Sequence, residues 1–255
     1  MSSVAMAHAP SQDKAGSTAE PAREPRPSRR ERAFVAAGGA VPGEMDATRT
    51  AILTAAAEAF RERGFALASI DDVARRLGAT KGLVYHYYRT KTDLFFDVAL
   101  SGMALCFTAV EPHARAKERA ATRLCRMSIA HLQTMLEHVA YQHVILQGVA
   151  RPMTTAVKGG EAAALARLTQ ERDRYEALFR GVLAEAAKEG DVTLSGTPSF
   201  ANRTLLSVLN SPVAWYRPRA GEGEAERGRL VRDTARFALR GVGTPDDILE
   251  EELTR

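Results

Sequence analysis

The sequence has few of the features that mark secreted or membrane-spanning proteins. It has two cysteines in 255 residues, Cys106 and Cys125, each inside an apolar helical stretch, which excludes a disulfide framework and an all-cysteine zinc site. Its first residues, MSSVAMAHAPSQDK, contain neither a basic start nor a continuous apolar segment, and nowhere do about 18 apolar residues follow one another. These absences predict a cytoplasmic chain that does not span a membrane.

Motifs of catalysis and of cofactor binding are also missing. We find no G-x-S-x-G, no Walker A loop, no H-E-x-x-H and no dinucleotide-binding glycine pattern. His131 and His138 are seven residues apart, which separates them by two helical turns, and no third ligand accompanies them. We therefore expect no enzyme, no catalytic residues, no cofactor and no metal site.

Residues 1–44 differ in composition from the rest of the chain. They contain five of the eleven prolines and almost no large aliphatic side chains, so we expect a disordered tail. Its segment AREPRPSRRER, residues 22–32, has five arginines and two glutamates. This tail has three open interpretations: a solubilising segment, an extension upstream of a chain that starts at Met45, or a basic arm that samples DNA phosphates or the minor groove.

The remainder shows helical periodicity and no sustained strand alternation, so the predicted fold is all-α. Residues 45–92 are predicted to form a three-helix unit: a first helix from Asp46 to Gly64, a second after the capping pair Ser69 and Asp72, and a third after Thr80. A helix starting at Thr90 would connect this unit to a larger helical domain, residues 93–255. Further helices are predicted at 112–138, 140–149, 161–189, 198–215 and 224–241, with Pro212 bending or ending the fourth of these.

Positive charge is concentrated on the turn and third helix of the small unit. The whole chain has 35 basic and 31 acidic residues, a formal net charge of +4, which by itself indicates no particular partner. Between Val73 and Thr92, however, there are five Lys or Arg residues and no acid. Two short helices joined by a turn with Gly78, the second bearing such charge, are typical of a helix-turn-helix that reads the major groove. The alternative is a three-helix packing unit with an ordinary charged face.

The segment SIDDVARRLGATKGLVYHYYRTKTDLF resembles the DNA-binding region of the tetracycline-repressor (TetR/AcrR) family of bacterial transcription regulators. The usual form is T-x-x-x-I-A-x-x-A-G-V-S-K-G-x-L-Y-x-Y-F-x-S-K-x-x-L, and the match extends from Thr48 to Phe96. Departures are Thr80 for Ser, Val84 for Leu and Tyr88 for Phe, each of which keeps the cap or the apolar body. The resemblance implies base contacts by Lys81, Gly82 and Leu83, phosphate contacts by Ser69, Thr80, Tyr85, His86 and Tyr87, and a phosphate clamp by Lys91.

The same resemblance implies that residues 93–255 bind a small-molecule effector and form a homodimer. The segment that contains AWYRP, residues 214–218, is similar to one in a subgroup that often responds to acyl-CoA thioesters. Candidate ligand contacts are Phe107, Leu124, Ser128, His131, Met135, His138, Tyr141, Arg151 and Phe179, although a core role is the simpler interpretation of most of them and a surface salt bridge that of Arg151. Candidate dimer contacts are Leu205, Leu206, Leu209, Val213 and Trp215; the alternative for this apolar stripe is a core helix of the same chain.

Taken together, the expected function is a ligand-responsive repressor that binds a palindromic double-stranded operator. A regulator that activates transcription fits the same sequence. The rival from another class is an all-helical enzyme or protein-interaction module whose basic segment binds phosphorylated partners.

Overall fold

The computed structural model describes residues 42–150, 160–219 and 221–254, and within these ranges the chain is helical with no strand. The predicted all-α fold is confirmed. The tail predicted for residues 1–44 lies almost entirely outside the described residues, as does Arg151. The helices are α1 (Pro42–Leu67), α2 (Ile70–Leu77), α3 (Lys81–Tyr87), α4 (Lys91–Ala114), α5 (Ala120–Glu137), α6 (Val139–Ala150), α7 (Gly160–Glu189), α8 (Pro198–Asn210), α9 (Pro212–Trp215), α10 (Glu224–Gly241) and α11 (Asp246–Thr254).

Local capping signals set the bounds of the small N-terminal helices. Ser69 and Asp72 form the expected capping box at the start of α2, and Gly78 ends that helix in the left-handed conformation at φ 70°. Thr90 and Asp93 form a second capping box at the start of α4. Gly64 also has a positive φ, 69°, but α1 continues through this kink to Leu67 rather than ending there.

One predicted helix bound in the larger part needs correction, and one helix there was not predicted. The helix predicted from residue 112 begins at Ala120, because α4 continues through Pro112 to Ala114 and a turn follows. Pro112 has no amide hydrogen to donate within α4, and the helix ends two residues later, at Ala114. The helix predicted for 198–215 is divided at Pro212 into α8 and α9, as expected for proline. The short helix α11 was not predicted; its Glu252 is buried against Arg126 of α5, at 2.8 Å.

Helix α4 is the central element of the larger part and joins it to the small helices. It packs against α5, α6 and α7, while α5 also packs against α7 and α10. Of the described helices, α4 alone is long and apolar enough to cross a membrane, but half of its most apolar window is buried inside the fold. The described residues from Glu44 onward form one compact unit, so the boundary predicted at residues 92 and 93 stays a prediction.

Candidate nucleic-acid interface and effector cavity

Helix α3 has one buried face and one face open to solvent. Val84 and Tyr88 are buried in the core, and Val84 has no exposed surface. Lys81, Gly82 and His86 are exposed, Tyr85 is 50% exposed, and Leu83 and Tyr87 are half-buried. Lys81, Gly82, Tyr85 and His86 therefore lie on the side of α3 that a nucleic acid can reach. Leu83 and Tyr87 are only partly accessible, and Tyr87 packs against the core.

The two predicted capping hydroxyls are used differently. The Ser69 hydroxyl both accepts from the Asp72 amide at 3.1 Å and donates to the Asp72 carboxylate at 2.7 Å, so it is engaged within α2. Thr80 occupies the N-cap position of α3, but its exposed hydroxyl makes no capping hydrogen bond to the described helix. Of these two hydroxyls, Thr80 is thus the better placed to donate to a phosphate oxygen.

Lys81, at the start of α3, is only loosely paired, whereas arginines of the neighbouring helices have closer partners. Lys81 lies 3.8 Å from the Asp71 carboxylate, and both side chains are more than 60% exposed. Such a surface ion pair contributes little and exchanges readily with an external anion. Arg75 and Arg63 share Asp72, and Arg76 contacts Glu62. The N-terminal end of α3 therefore keeps a cation that a DNA phosphate or base edge can attract.

A three-residue network fixes the C-terminal end of α3. The Tyr88 hydroxyl donates to Asp97 on α4 at 2.6 Å, and Arg49 on α1 donates to both oxygens of the same carboxylate at 2.6 and 2.7 Å. Burial raises the pKa of Tyr88, and its hydrogen bond to Asp97 acts in the same direction. The orientation of α3 is thereby coupled to α1 and α4. Sequence reasoning missed Arg49 and Asp97, because their contact spans 48 residues.

Lys91 holds the end of α1 in this structure. Its ammonium donates to the carbonyl oxygens of Phe65, Ala66 and Ala68 at 2.7, 3.3 and 2.9 Å, and lies 4.5 Å from the centre of the Phe65 ring. These carbonyls lie at and just beyond the C-terminal end of a helix, where a cation is stabilising. The three N–H groups expected to clamp a phosphate are therefore already bound, and the phosphate role of Lys91 stays a prediction.

A cavity of about 90 Å³ lies in the larger part of the chain, between α4, α5, α6, α7 and α8. Apolar side chains make up much of its wall. Polar groups come from His131, Gln142, Tyr175 and Asn210, and charged groups from Arg172 and Glu176. The apolar lining residues are Met103, Cys106, Met135, Ile145, Leu146 and Leu206. Apolar walls with a few polar groups are typical of small-molecule sites.

His131 is the most unusual polar group in this cavity. Its side chain is 2% exposed, and its Nδ1 lies 2.8 Å from the Tyr175 hydroxyl. Within the described residues, Nε2 of His131 has no hydrogen-bond partner. Burial lowers the pKa of His131 to about 4, against a smaller opposing effect of the Asn210 side chain, so the ring is neutral near pH 7.

The structure brings only part of the predicted ligand set to the cavity. His131 and Met135 line it, and Phe107 and Phe179 pack on the Tyr175 ring with centroids 5.1 and 5.4 Å apart. The other described candidates lie outside its lining. Leu124 and Ser128 are core residues, and the Ser128 hydroxyl donates to the Leu124 carbonyl. His138 is the C-cap residue of α5, and the Tyr141 hydroxyl is hydrogen-bonded to the Thr54 hydroxyl. Sequence reasoning missed Tyr175 and Gln142, for which helical periodicity alone gave no signal.

Helix α6 joins the cavity to the small helices. Gln142, Ile145 and Leu146 are part of the cavity wall. Gln147, on the same helix, accepts from the Phe65 amide at 3.1 Å and donates to the Phe60 carbonyl at 3.1 Å, both on α1. Tyr141 adds a hydrogen bond to Thr54, also on α1, at 3.1 Å. Helix α6 therefore connects the wall of the cavity to α1 through hydrogen bonds.

Most residues predicted to form a dimer interface are core residues of this chain. Leu205, Leu206, Leu209 and Val213 are buried within the subunit, because this face of α8 and α9 packs on the neighbouring helices. The exposed apolar surface lies elsewhere: Phe237 on α10 is 72% exposed and lines a groove with Val208 of α8. Trp215 is the one predicted interface residue with a large exposed surface, 55%.

Comparison with family models gives two matches along the chain. The model described as "Bacterial regulatory proteins, tetR family" matches residues 52–98, which include α2, α3 and the start of α4. The model described as "Tetracyclin repressor-like, C-terminal domain" matches residues 117–242. Together the two matches include the exposed helix α3 and most of the helices that line the cavity.

Similar proteins match this chain over most of their own length. The chain is 25% identical to the HTH-type transcriptional repressor BepR of Brucella suis over 77% of its own length and 94% of the relative's. It is 25% identical to the HTH-type transcriptional repressor KstR2 of Rhodococcus jostii over 77% and 92%. Among solved structures, PfmR of Thermus thermophilus has a TM-score of 0.62 at 25% identity, covering 75% of this chain and 98% of its own. AibR, solved with isovaleryl coenzyme A and operator DNA, shares the fold at a TM-score of 0.60 and 18% identity, covering 78% and 99%.

Proposed function

The chain belongs to the TetR family of bacterial transcriptional regulators, and from this membership we propose that it is a repressor which leaves its operator when a small molecule binds. The observation that supports this best is the exposed face of α3. Its packing residues Val84 and Tyr88 are buried, while Lys81, Tyr85 and His86 remain accessible. A helix presented in this way fits a major groove.

We propose that Lys81, Gly82 and Leu83 contact base edges and that Thr80, Tyr85, His86 and Tyr87 contact or approach phosphates. Ser69 remains a proposed phosphate contact, but it would have to exchange partners to make one, because its hydroxyl and its backbone amide both bond Asp72. We propose that Lys91 attracts a phosphate through its positive charge alone, because its N–H groups already donate to three backbone carbonyls. Leu83 offers apolar contact, for instance to a thymine methyl group.

Fluorescence anisotropy with labelled DNA from upstream of the protein's own gene tests this assignment. Lys81→Ala should weaken specific binding by roughly 1–3 kcal/mol and leave binding to unrelated DNA less affected, because base contacts carry the sequence information. Lys188→Ala removes an exposed lysine at the far end of α7 and serves as the control. An unchanged ratio of specific to unrelated binding in Lys81→Ala would contradict base readout.

A palindromic operator requires two copies of the chain. We propose a homodimer formed by the exposed face of α8 and α10 around Val208 and Phe237, with Trp215 at its margin. Exposed apolar surface of this kind is typical of subunit interfaces. Two recognition helices would then enter successive major grooves with centres about 34–36 Å apart.

We propose that the effector occupies the cavity that His131 and Met135 line, and that it is an acyl-CoA thioester whose acyl end enters there. The similarity of residues 214–218 to an acyl-CoA-responsive subgroup supports this, and the AibR structure, with the same fold, contains isovaleryl coenzyme A and operator DNA. The effector would favour a state in which α4 has moved and the two α3 helices no longer match the groove spacing. Each 1.4 kcal/mol of preference for that state lowers operator affinity about tenfold.

Thermal-shift screening against acyl-CoAs, free fatty acids and aromatic acids tests the effector class. A ligand present at 100 times its dissociation constant should add about 2.7 kcal/mol of stability. The effector should also release labelled operator DNA at the same concentrations. Stabilisation without release would contradict the proposed regulation. We propose that this regulation takes place in the cytoplasm.

A further inference from the structure

We infer that the cavity recognises a neutral carbonyl group, whose oxygen accepts a hydrogen bond from Nε2–H of His131. This inference rests on the proposed role of the cavity as the effector site and specifies the chemistry that the site selects. Its basis is a ring nitrogen that makes no hydrogen bond to the described residues, on a side chain that is 2% exposed and lines the cavity. The Asn210 side chain also lines the cavity and opposes part of the pKa shift of His131, so it is the polar group with which a ligand would compete for this nitrogen. A buried polar group left unpaired costs free energy, so a ligand that satisfies it gains affinity.

The hydrogen bond between His131 and Tyr175 determines which ring nitrogen bears the proton. If the Tyr175 hydroxyl donates to Nδ1, the neutral ring has its hydrogen on Nε2, and one donor remains unpaired. If Nδ1–H donates instead, both the phenol hydrogen and the Nε2 lone pair remain unpaired. The first arrangement leaves fewer buried groups unsatisfied, so Nε2–H is the donor that points to the ligand.

A charged acceptor fits this cavity less well than a neutral one. Of the described residues in its lining, Arg172 is basic and Glu176 is acidic, so their charges offset one another. A carboxylate would lose its hydration on entering and would lie near the Glu176 carboxylate, with no net positive charge to compensate. His131 does not supply that charge, since burial keeps it neutral at physiological pH.

The volume of the cavity and the flexible methionines in its wall limit which groups of the ligand can lie beside the carbonyl. At about 90 Å³ it admits a short aliphatic group rather than a large ring system. Met103 and Met135 are flexible side chains that adapt to an irregular aliphatic shape. The cavity therefore selects a compact ketone, ester or thioester end, and any larger polar portion of the ligand would remain outside.

Nuclear magnetic resonance of the full chain labelled with ¹⁵N-histidine tests the inference directly. In the ligand-free protein, the His131 signals, identified by their loss in His131→Phe, should show Nε2 protonated and Nδ1 unprotonated. Three probes of similar size are then titrated: 2-pentanone, butanoate and 2-methylpentane. We expect 2-pentanone to bind about tenfold more tightly than either of the others and to shift the Nε2 resonance.

Two variants separate the hydrogen bond from a general effect on the fold. His131→Phe keeps the aromatic volume and removes the donor, so the preference for the ketone over the hydrocarbon should disappear. His113→Phe, near the end of α4 and away from the cavity lining, should retain that preference. If His131→Phe does not fold, the His131 signals are assigned by elimination, from the signals lost when each of the other five histidines is replaced in turn. The nitrogen shifts of the parent chain then decide the matter.

Several outcomes would overturn the inference: a proton on Nδ1 of His131, butanoate binding as tightly as the ketone, equal affinity for ketone and hydrocarbon, or no binding of any probe. Operator binding is measured by anisotropy on the same samples. Specific DNA binding together with one of these outcomes refutes the carbonyl inference alone, whereas the absence of specific DNA binding refutes the proposed function.

Discussion

Gln147→Leu should both destabilise the protein and loosen the connection between the cavity and the DNA-binding helices. The substitution keeps the size of the side chain but removes two hydrogen bonds of 3.1 Å, one from the Phe65 amide and one to the Phe60 carbonyl. Each neutral hydrogen bond contributes about 1 kcal/mol, so we expect the free energy of unfolding to fall by about 2 kcal/mol. That is roughly a 30-fold change in the ratio of folded to unfolded chains.

Urea unfolding followed by circular dichroism measures this loss. The midpoint should shift while the dependence on urea stays the same, since the surface exposed on unfolding hardly changes. Hydrogen exchange should also become faster at the Phe65 amide, because that group loses its acceptor. Gln170→Leu, an equivalent change at an exposed position of α7, is the control. A loss below about 0.5 kcal/mol, or unchanged exchange at Phe65, would refute the role assigned to Gln147.

Three further predictions concern other parts of the molecule. Lys91→Met should lower the free energy of unfolding by about 2 kcal/mol, because three carbonyls at the end of α1 lose a charged donor, and an unchanged urea midpoint would argue against this cap. The same variant should reduce the salt slope of DNA binding by about one unit if its charge also acts on a phosphate. Phe237→Asp should shift sedimentation from dimer to monomer and weaken operator binding, since it places a charge at the exposed centre of the proposed interface; a dimer unaffected by this change would exclude that face. Finally, the folded-state pKa of His131, about 4, is below its ordinary value, so its neutral form contributes stability that is present above about pH 6.5 and lost as the pH falls toward 4. Urea unfolding measured between pH 6.5 and 4 tests this: the free energy of unfolding of the parent should fall by up to about 3 kcal/mol more than that of His131→Phe. If the free energies of the two proteins fall in parallel with pH, the buried neutral ring is contradicted.

Local signals explain why the DNA-binding helices were predictable. The Ser69 and Asp72 pair and Gly78 each act within a few residues, so their effect on α2 can be inferred from sequence. The stripe of Leu205 and Leu209 was equally clear, but periodicity identifies a buried face without saying which chain buries it. The structure assigns that face to the subunit's own core.

Contacts between distant residues had no comparable signal. The hydrogen bonds of Gln147 reach back more than 80 residues, and those of Lys91 end on carbonyl groups that every residue possesses. The unpartnered nitrogen of His131 likewise becomes visible only when the surrounding helices are in place. Helical spacing placed His131 and Met135 on one face, but the residues opposite them, such as Tyr175, required the tertiary structure.

Lys91 and Gln147 have a common property: both bind main-chain atoms of residues 60–68, whereas ion pairs such as Arg49 with Asp97 bind side chains. Main-chain groups persist when a residue is replaced, so substitutions at Ala66 or Leu67 should leave these attachments intact. Evolutionary drift should therefore be tolerated at exposed positions of this segment, such as Ala66 and Leu67, and resisted at Lys91 and Gln147. For Arg49 and Asp97 the opposite pattern is expected, namely paired replacement of both partners.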